Sequence, residues 1–168
     1  RLIRLGFSGI QNFPTVGLID GLFRANLEET GMGYELEVDM IAQARQLDLL
    51  TAAYVFDRTS SESMTKAGAD VLVPHMGLTT KGMIGASTSR SLDDCVGLIQ
   101  EMNDAARKIN PEIIVICHGG PIAEPDDAKY ILGKVKGVQG FFGASSMERI
   151  PTELAMTENM KRFKEIAL

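Results

Sequence analysis

The sequence predicts an α/β fold built on a parallel sheet, and three observations carry that prediction. Short apolar runs alternate with amphipathic stretches of helical period along the chain, the pattern of about five serial β/α units. The clearest runs, LLTAAYVF at 49–56 and EIIVIC at 112–117, are apolar with little interruption, as strands covered on both faces are. Polar or glycine-rich residues follow the C-terminal end of each run, whereas the opposite connections are plain. In parallel β/α folds ligands bind at the carboxyl ends of the strands, so this asymmetry bears on function as well as on fold.

Leu5–Ile10 reads as the first strand. After it, Leu18, Ile19, Leu22, Phe23 and Leu27 recur at helical spacing within a glycine-punctuated segment, Pro14 to Gly33, with Gly31 as a helix end. Tyr34–Leu47 repeats the helical pattern through Leu36, Met40, Ala44 and Leu47, and Leu49–Phe56 is a buried strand. Ser60 or Ser61 can cap a short helix that stops at Gly68, ahead of a third strand at Ala69–Met76. A loop at Gly77–Arg90 leads to Ser91, which with Asp94 suggests a capping box. The helix it starts bears Leu92, Val96, Ile99, Met102, Ala106 and Ile109 on one face, and Asn110-Pro111 ends it. Glu112–Cys117 is strand four, and Pro125 fits the first position of a helix running to Leu132. Val138–Phe142 is strand five, and Pro151 opens a last helix with Met156, Met160 and Phe163 turned inward.

At 168 residues the chain suits one domain, yet falls below the roughly 200 residues of a complete eightfold β/α barrel. With 45% hydrophobic and 23% charged residues it is no disordered chain. Seventeen Lys and Arg against 22 Asp and Glu give a net charge of -5, which offers no electrostatic footprint for nucleic acid. No apolar run matches a membrane span or a secretory signal, and the first residue is Arg1, so upstream residues are expected. Cys95 and Cys117 lie in no C-x-x-C or metal spacing and read as reduced core thiols of a cytoplasmic protein. The nine Met read as core filler.

Five groups stand at the strand exits: Gln11-Asn12, Asp57, His75, His118-Gly119-Gly120 and Gly143-Ala144-Ser145-Ser146. Paired glycines such as Gly119 and Gly120 let the backbone approach a ligand and expose N–H groups to an anion. His118, with an ordinary imidazole pKa of roughly 6.5, suits acid, base or hydrogen-bond duty. The alternative is a tight βα turn whose histidine bonds a neighbouring carbonyl. No Gly-Lys-Ser/Thr follows, which excludes a P-loop.

Gly143, Ser145 and Ser146 precede the last helix, where N–H groups, hydroxyls and the helix dipole can hold a phosphate or carboxylate. Arg149 suits a bidentate clamp on such an oxyanion, with Glu148 beside it. For that pair the alternative is a surface Glu/Arg contact. His75 is the second acid/base candidate and otherwise a satisfied wall histidine. Asp57 reads as a metal ligand, a base or the N-cap region of the next helix. Gln11 and Asn12 are amides suited to orienting a carboxylate, although Asn12 equally serves a turn.

Longer runs extend these motifs: GFSGIQNFPTVGLIDGLFRANLEETGMGYELEVDMI, AGADVLVPHMGLTT, SLDDCV, VICHGGPIAEPDDA and GFFGASSMERIPTE. Together, and over nearly the whole chain, they resemble the phosphoenolpyruvate hydrolase-like family of TIM-barrel proteins, also labelled TIM-barrel signal-transduction proteins. The resemblance implies a (β/α)8 TIM barrel of which residues 1–168 form the C-terminal five β/α units, strands four to eight. Arg1–Leu5 would then end the preceding helix, and the loops at 118–121 and 143–146 would follow strands seven and eight. The alternative is a complete five-stranded flavodoxin-like doubly wound sheet.

The function expected is an enzyme of the hydrolase or lyase type acting on a small phosphorylated or carboxylate metabolite, phosphoenolpyruvate or a related keto acid. His118 or His75 would move the proton. Arg149 and backbone N–H groups would steady the developing oxyanion. A divalent metal such as Mg²⁺ is compatible, with Asp57 its candidate ligand, although no carboxylate cluster demands one. The alternative is a non-catalytic ligand-binding, signalling or protein-interaction module using the same anion pocket. The partners expected are a small anionic metabolite and either a second copy of the chain or a preceding segment that completes the barrel; no nucleic acid or membrane is expected.

Overall fold

Five strands lie side by side in the order in which the chain makes them: β1 (Gly9–Gln11), β2 (Leu50–Val55), β3 (Val71–Pro74), β4 (Ile114–Cys117) and β5 (Gly140–Phe141). All four pairings are parallel. The molecule is described from a computed structural model, for residues 2–167. The helices are α1 (Gly21–Glu29), α2 (Tyr34–Gln46), α3 (Arg58–Lys66), α4 (Leu92–Ile109), α5 (Pro125–Lys134) and α6 (Ile150–Lys164).

When each strand joins beside the last through right-handed crossovers, every crossover helix falls on the same face of the sheet. Consecutive helices accordingly pack together, α2 on α3, α3 on α4 and α4 on α5. This sequential order is that of barrel strands; a flavodoxin-like sheet has its first two strands interchanged.

Side chains of a strand alternate between faces, so each strand divides in two. Ala53, Val55, Leu72, Val115 and Cys117 turn toward the helices and join Ile41, Met64, Ile99 and Ile131 in a core with almost no exposure. The other set, including Tyr54, Val73, His75, Ile116 and His118, faces away from that core. Toward its amino-terminal end this second face is open, with Leu50 58% and Ile114 45% exposed. At its carboxyl end it carries the polar residues.

Most boundaries fall within a few residues of expectation. Ser91 and Asp94 form a reciprocal capping box at the start of α4, and Pro125 occupies the first turn of α5. Asp57, rather than Ser60 or Ser61, caps α3: its carboxylate accepts the Ser60 N–H at 2.7 Å and the Ser60 hydroxyl accepts the Asp57 N–H at 3.0 Å. The first strand is shorter than Leu5–Ile10, because Ile3–Leu5 form a 3₁₀ turn closed by Gly6 at φ 84°. The last helix also departs from expectation. Met156, Met160 and Phe163 are 61–69% exposed and only Ile150 of α6 is buried, since α6 has no sheet face to lie on beyond its first turn.

Candidate functional site at the carboxyl edge of the sheet

The two histidines extend β3 and β4 by one residue. A parallel bridge joins His75 to His118, which puts both side chains at one level on the face opposite the helices. Their ring centroids are 4.7 Å apart and both residues are buried. Tyr54, from the neighbouring strand, sits edge-on to His75 at 4.8 Å and tilted against His118 at 5.1 Å, and Phe142 packs against both His118, at 5.6 Å, and Tyr54, at 6.2 Å.

Hydrogen bonding assigns each ring its proton. The Gly77 N–H donates to His75 Nδ1 at 3.1 Å, so the neutral His75 ring carries its hydrogen on Nε2. His118 Nδ1 lies 2.6 Å from the Phe142 carbonyl oxygen, which can only accept, so the hydrogen of His118 sits on Nδ1 and Nε2 keeps its lone pair. The Tyr54 hydroxyl is 3.5 Å from that Nε2, the long limit of a hydrogen bond. Burial pushes the His75 imidazolium pKa down to about 4, with the neighbouring His118 adding to the effect. Burial lowers His118 as well, partly opposed by its bond to Phe142. Two uncharged imidazoles therefore stand together, one offering a donor and the other an acceptor. Burial also raises the Tyr54 hydroxyl above its ordinary value, so it stays protonated.

A cavity of about 550 Å³ lies over this pair. Gln11 lines it, and its Nε2 is buried without a hydrogen-bond partner, a costly state that an acceptor on a ligand would relieve. Gly143, Ser145, Glu148 and Arg149 form the side supplied by the loop before α6. The long β3–α4 loop contributes Leu78 and Ile84.

Other expected residues serve the scaffold. Asn12 is buried and fully engaged: its Oδ1 accepts the Tyr54 N–H at 2.7 Å and its Nδ2 donates to Glu37 Oε2 at 2.7 Å. Gly119 and Gly120 do not line the cavity. Both have left-handed φ, 77° and 60°, and pack against the turn after β3, where Gly120 N–H donates to Gly77 O at 2.6 Å. A Cβ on Gly119 would lie 2.5 Å from Gly77 O. Ser146 turns away, toward α5 and Met147. Asp57 is spent on its cap, and among the described residues no three His, Cys, Asp or Glu converge as metal ligands. Both thiols are buried, and burial pushes each up to about 11.

Arg149 is partly occupied. Its Nη1 donates to Glu153 Oε1 at 2.7 Å and its Nη2 to the Lys81 carbonyl at 3.1 Å. Glu153 in turn accepts the Met83 N–H at 2.8 Å, which ties the β3–α4 loop to α6. Lys81 holds the same loop to the start of α5 through Glu124 at 2.6 Å and Asp127 at 2.8 Å.

Sequence reasoning missed Tyr54, Phe142 and Glu37. The period-two rule could have found Tyr54, because Ala53 and Val55 claim the core face and leave it the other. Glu37 gave no signal: it looks like any helix-surface acid, yet it accepts bonds from Asn12, Thr15 and the Val16 N–H, all at 2.7–2.8 Å, and so fixes the loop carrying Phe13.

A sequentially ordered parallel sheet with its polar residues gathered at the carboxyl edge defines an α/β protein of the barrel type. The chain belongs to the phosphoenolpyruvate hydrolase-like family, whose model matches residues 1–166. Among curated relatives, the ToMV susceptible protein tm-1(GCR26) of Solanum lycopersicum is 55% identical over all 168 residues, and the ToMV resistance protein Tm-1(GCR237) of the same species is 54% identical. A Sinorhizobium fredii protein, y4pA, which carries the name of a transcriptional regulatory protein, is 30% identical over 166 residues. The chain spans 22% of the length of each tomato protein and 27% of the bacterial one. Among solved structures, an HpcH/HpaI aldolase from Desulfitobacterium hafniense aligns with 97% of this chain and 72% of its own, at 12% identity and a TM-score of 0.42. A nitroalkane oxidase from Streptomyces ansochromogenes aligns with 66% of this chain and 31% of its own, at 20% identity and a TM-score of 0.42. No helix among the described residues is long and apolar enough to cross a membrane.

Proposed function

We propose that this region is a proton-transfer site for a small carboxylate or phosphorylated metabolite, in which His118 is the base and His75 the hydrogen-bond donor. The observation that carries the reading is the pair of adjacent, uncharged imidazoles with opposite tautomers. In the proposed step His118 Nε2 takes a proton from the carbon next to a carbonyl. The C–H electron pair becomes the new C–C π bond, and the carbonyl π pair moves onto oxygen. His75 Nε2–H and the Gln11 amide donate to that oxygen, so the developing charge meets donors already in place. Return of a proton from His118 to carbon restores the keto acid. Arg149 and Ser145 hold the carboxylate or phosphate end.

The test is exchange of the carbon-bound protons of pyruvate and related keto acids in D₂O, followed by NMR on the full-length protein. We expect exchange above the uncatalysed rate, falling by about a hundredfold or more in His118→Ala. Exchange that survives in His118→Ala within a few-fold of the parent sinks the assignment.

A second reading follows from the relatives, which are named for virus susceptibility, virus resistance and transcriptional regulation rather than for a reaction. On that reading the pocket is a ligand sensor. Ligand-induced stabilisation without exchange or turnover supports it.

A further inference from the structure

We infer that the cavity takes a monocarboxylate or keto acid with an apolar tail of aromatic size, and not a compact phosphorylated three-carbon acid. The inference rests on the reading of the site as a keto-acid pocket, but its evidence is separate: the charge and the apolarity of the walls.

Charge comes first. Among the described residues lining the cavity, Arg149 is the only cation and Glu148 the only carboxylate, so the wall is neutral overall while both histidines are uncharged. Arg149 already gives two of its nitrogens to Glu153 and to the Lys81 carbonyl. Lys81, the next cation, is spent on Glu124 and Asp127 and does not line the cavity. A phosphate carries close to two charges at neutral pH, and a wall with no net charge offsets neither of them. The three Arg149 N–H groups left over and the Ser145 hydroxyl bring one positive charge in all, which matches a single carboxylate rather than a phosphate.

Apolarity points the same way. The mouth is formed by Phe13, Leu18, Leu78 and Ile84, which are 62%, 38%, 69% and 78% exposed. Large apolar side chains seldom gather around one opening unless something covers them. Deeper in, Tyr54 and Phe142 present aromatic rings beside the histidines. A volume of about 550 Å³ lies in the range that holds molecules of drug size, and a three-carbon acid would leave most of it to water against apolar walls.

The experiment is calorimetric titration of the full-length protein with phenylpyruvate, 3-phenylpropionate, pyruvate and phosphoenolpyruvate. Burial of a phenyl ring predicts that phenylpyruvate binds at least about tenfold tighter than pyruvate or phosphoenolpyruvate. The double variant L78S/I84S changes only exposed loop residues, and should weaken phenylpyruvate at least about fivefold while leaving the melting temperature unchanged. Equal or tighter binding of phosphoenolpyruvate or pyruvate overturns the inference. So does a double variant that keeps the full preference, or failure of both aromatic acids to bind at millimolar concentration. Tight 3-phenylpropionate binding in a protein that exchanges no protons would discard the proton-transfer reading and keep the tail preference, so the two failures are distinguishable.

Discussion

His75 and His118 end adjacent parallel strands with their rings 4.7 Å apart, and each is fixed through Nδ1 by a backbone group of opposite polarity. An N–H donates to the first and a carbonyl accepts from the second, so the main chain gives the two rings different tautomers. Burial then keeps both uncharged at neutral pH, because an imidazolium here would lose its water with no carboxylate partner among the bonds each ring makes.

Acidification should therefore destabilise the fold. The folded-state pKa of His75 lies near 4, below its ordinary 6.5, so the unfolded chain binds the extra proton first. The stability this site contributes is complete above about pH 6.5 and is lost as pH falls toward 4, by up to roughly 3 kcal/mol for His75 alone. Urea unfolding between pH 7 and pH 4.5 measures the slope, and His75→Gln should flatten it. An unchanged slope in that variant would show that His75 is not the group responsible.

Two glycine substitutions should have opposite signs. Gly120 has φ 60° and a Cβ there would run into the Met76 carbonyl, so Gly120→Ala should destabilise by about 2 kcal/mol or more. Gly97 lies exposed inside α4 with open space around its missing Cβ, so Gly97→Ala should stabilise by about 0.5–1 kcal/mol. Thermal melts of the two variants check both signs.

Asp57→Ala should cost about 1 kcal/mol through loss of the α3 cap, and ligand affinity should stay within about twofold. A variant that instead loses binding or a magnesium dependence would return Asp57 to the site. Denaturant titration and calorimetry separate the two outcomes.

Glu153 holds the β3–α4 loop through the Met83 N–H and also pairs with Arg149, contacts that keep its carboxyl below the usual range. Glu153→Gln weakens the pairing with Arg149, so the Met83 amide should exchange with deuterium several-fold faster while amides of β2 and β3 keep their protection. Equal protection at Met83 would mean that the loop is held elsewhere.

Legible in the residues alone are the parallel α/β class, four of the five strands to within a few residues, the caps at Ser91 and Pro125, and the edge of the sheet where polar residues gather. These are local properties, written in apolar runs, periodicity and capping chemistry. Tertiary structure decided the rest. Only strand register sets His75 beside His118, and only alternation across that register brings Tyr54 to them from β2. Asn12, Gly119 and Gly120 look like ligand-binding residues in isolation, yet their hydrogen-bond groups or missing side chains are used by neighbours 25 to 44 positions distant in sequence. Gln11, next to Asn12, keeps a buried donor free, a difference that no spacing rule contains because it depends on which distant groups the fold brings within reach of each amide.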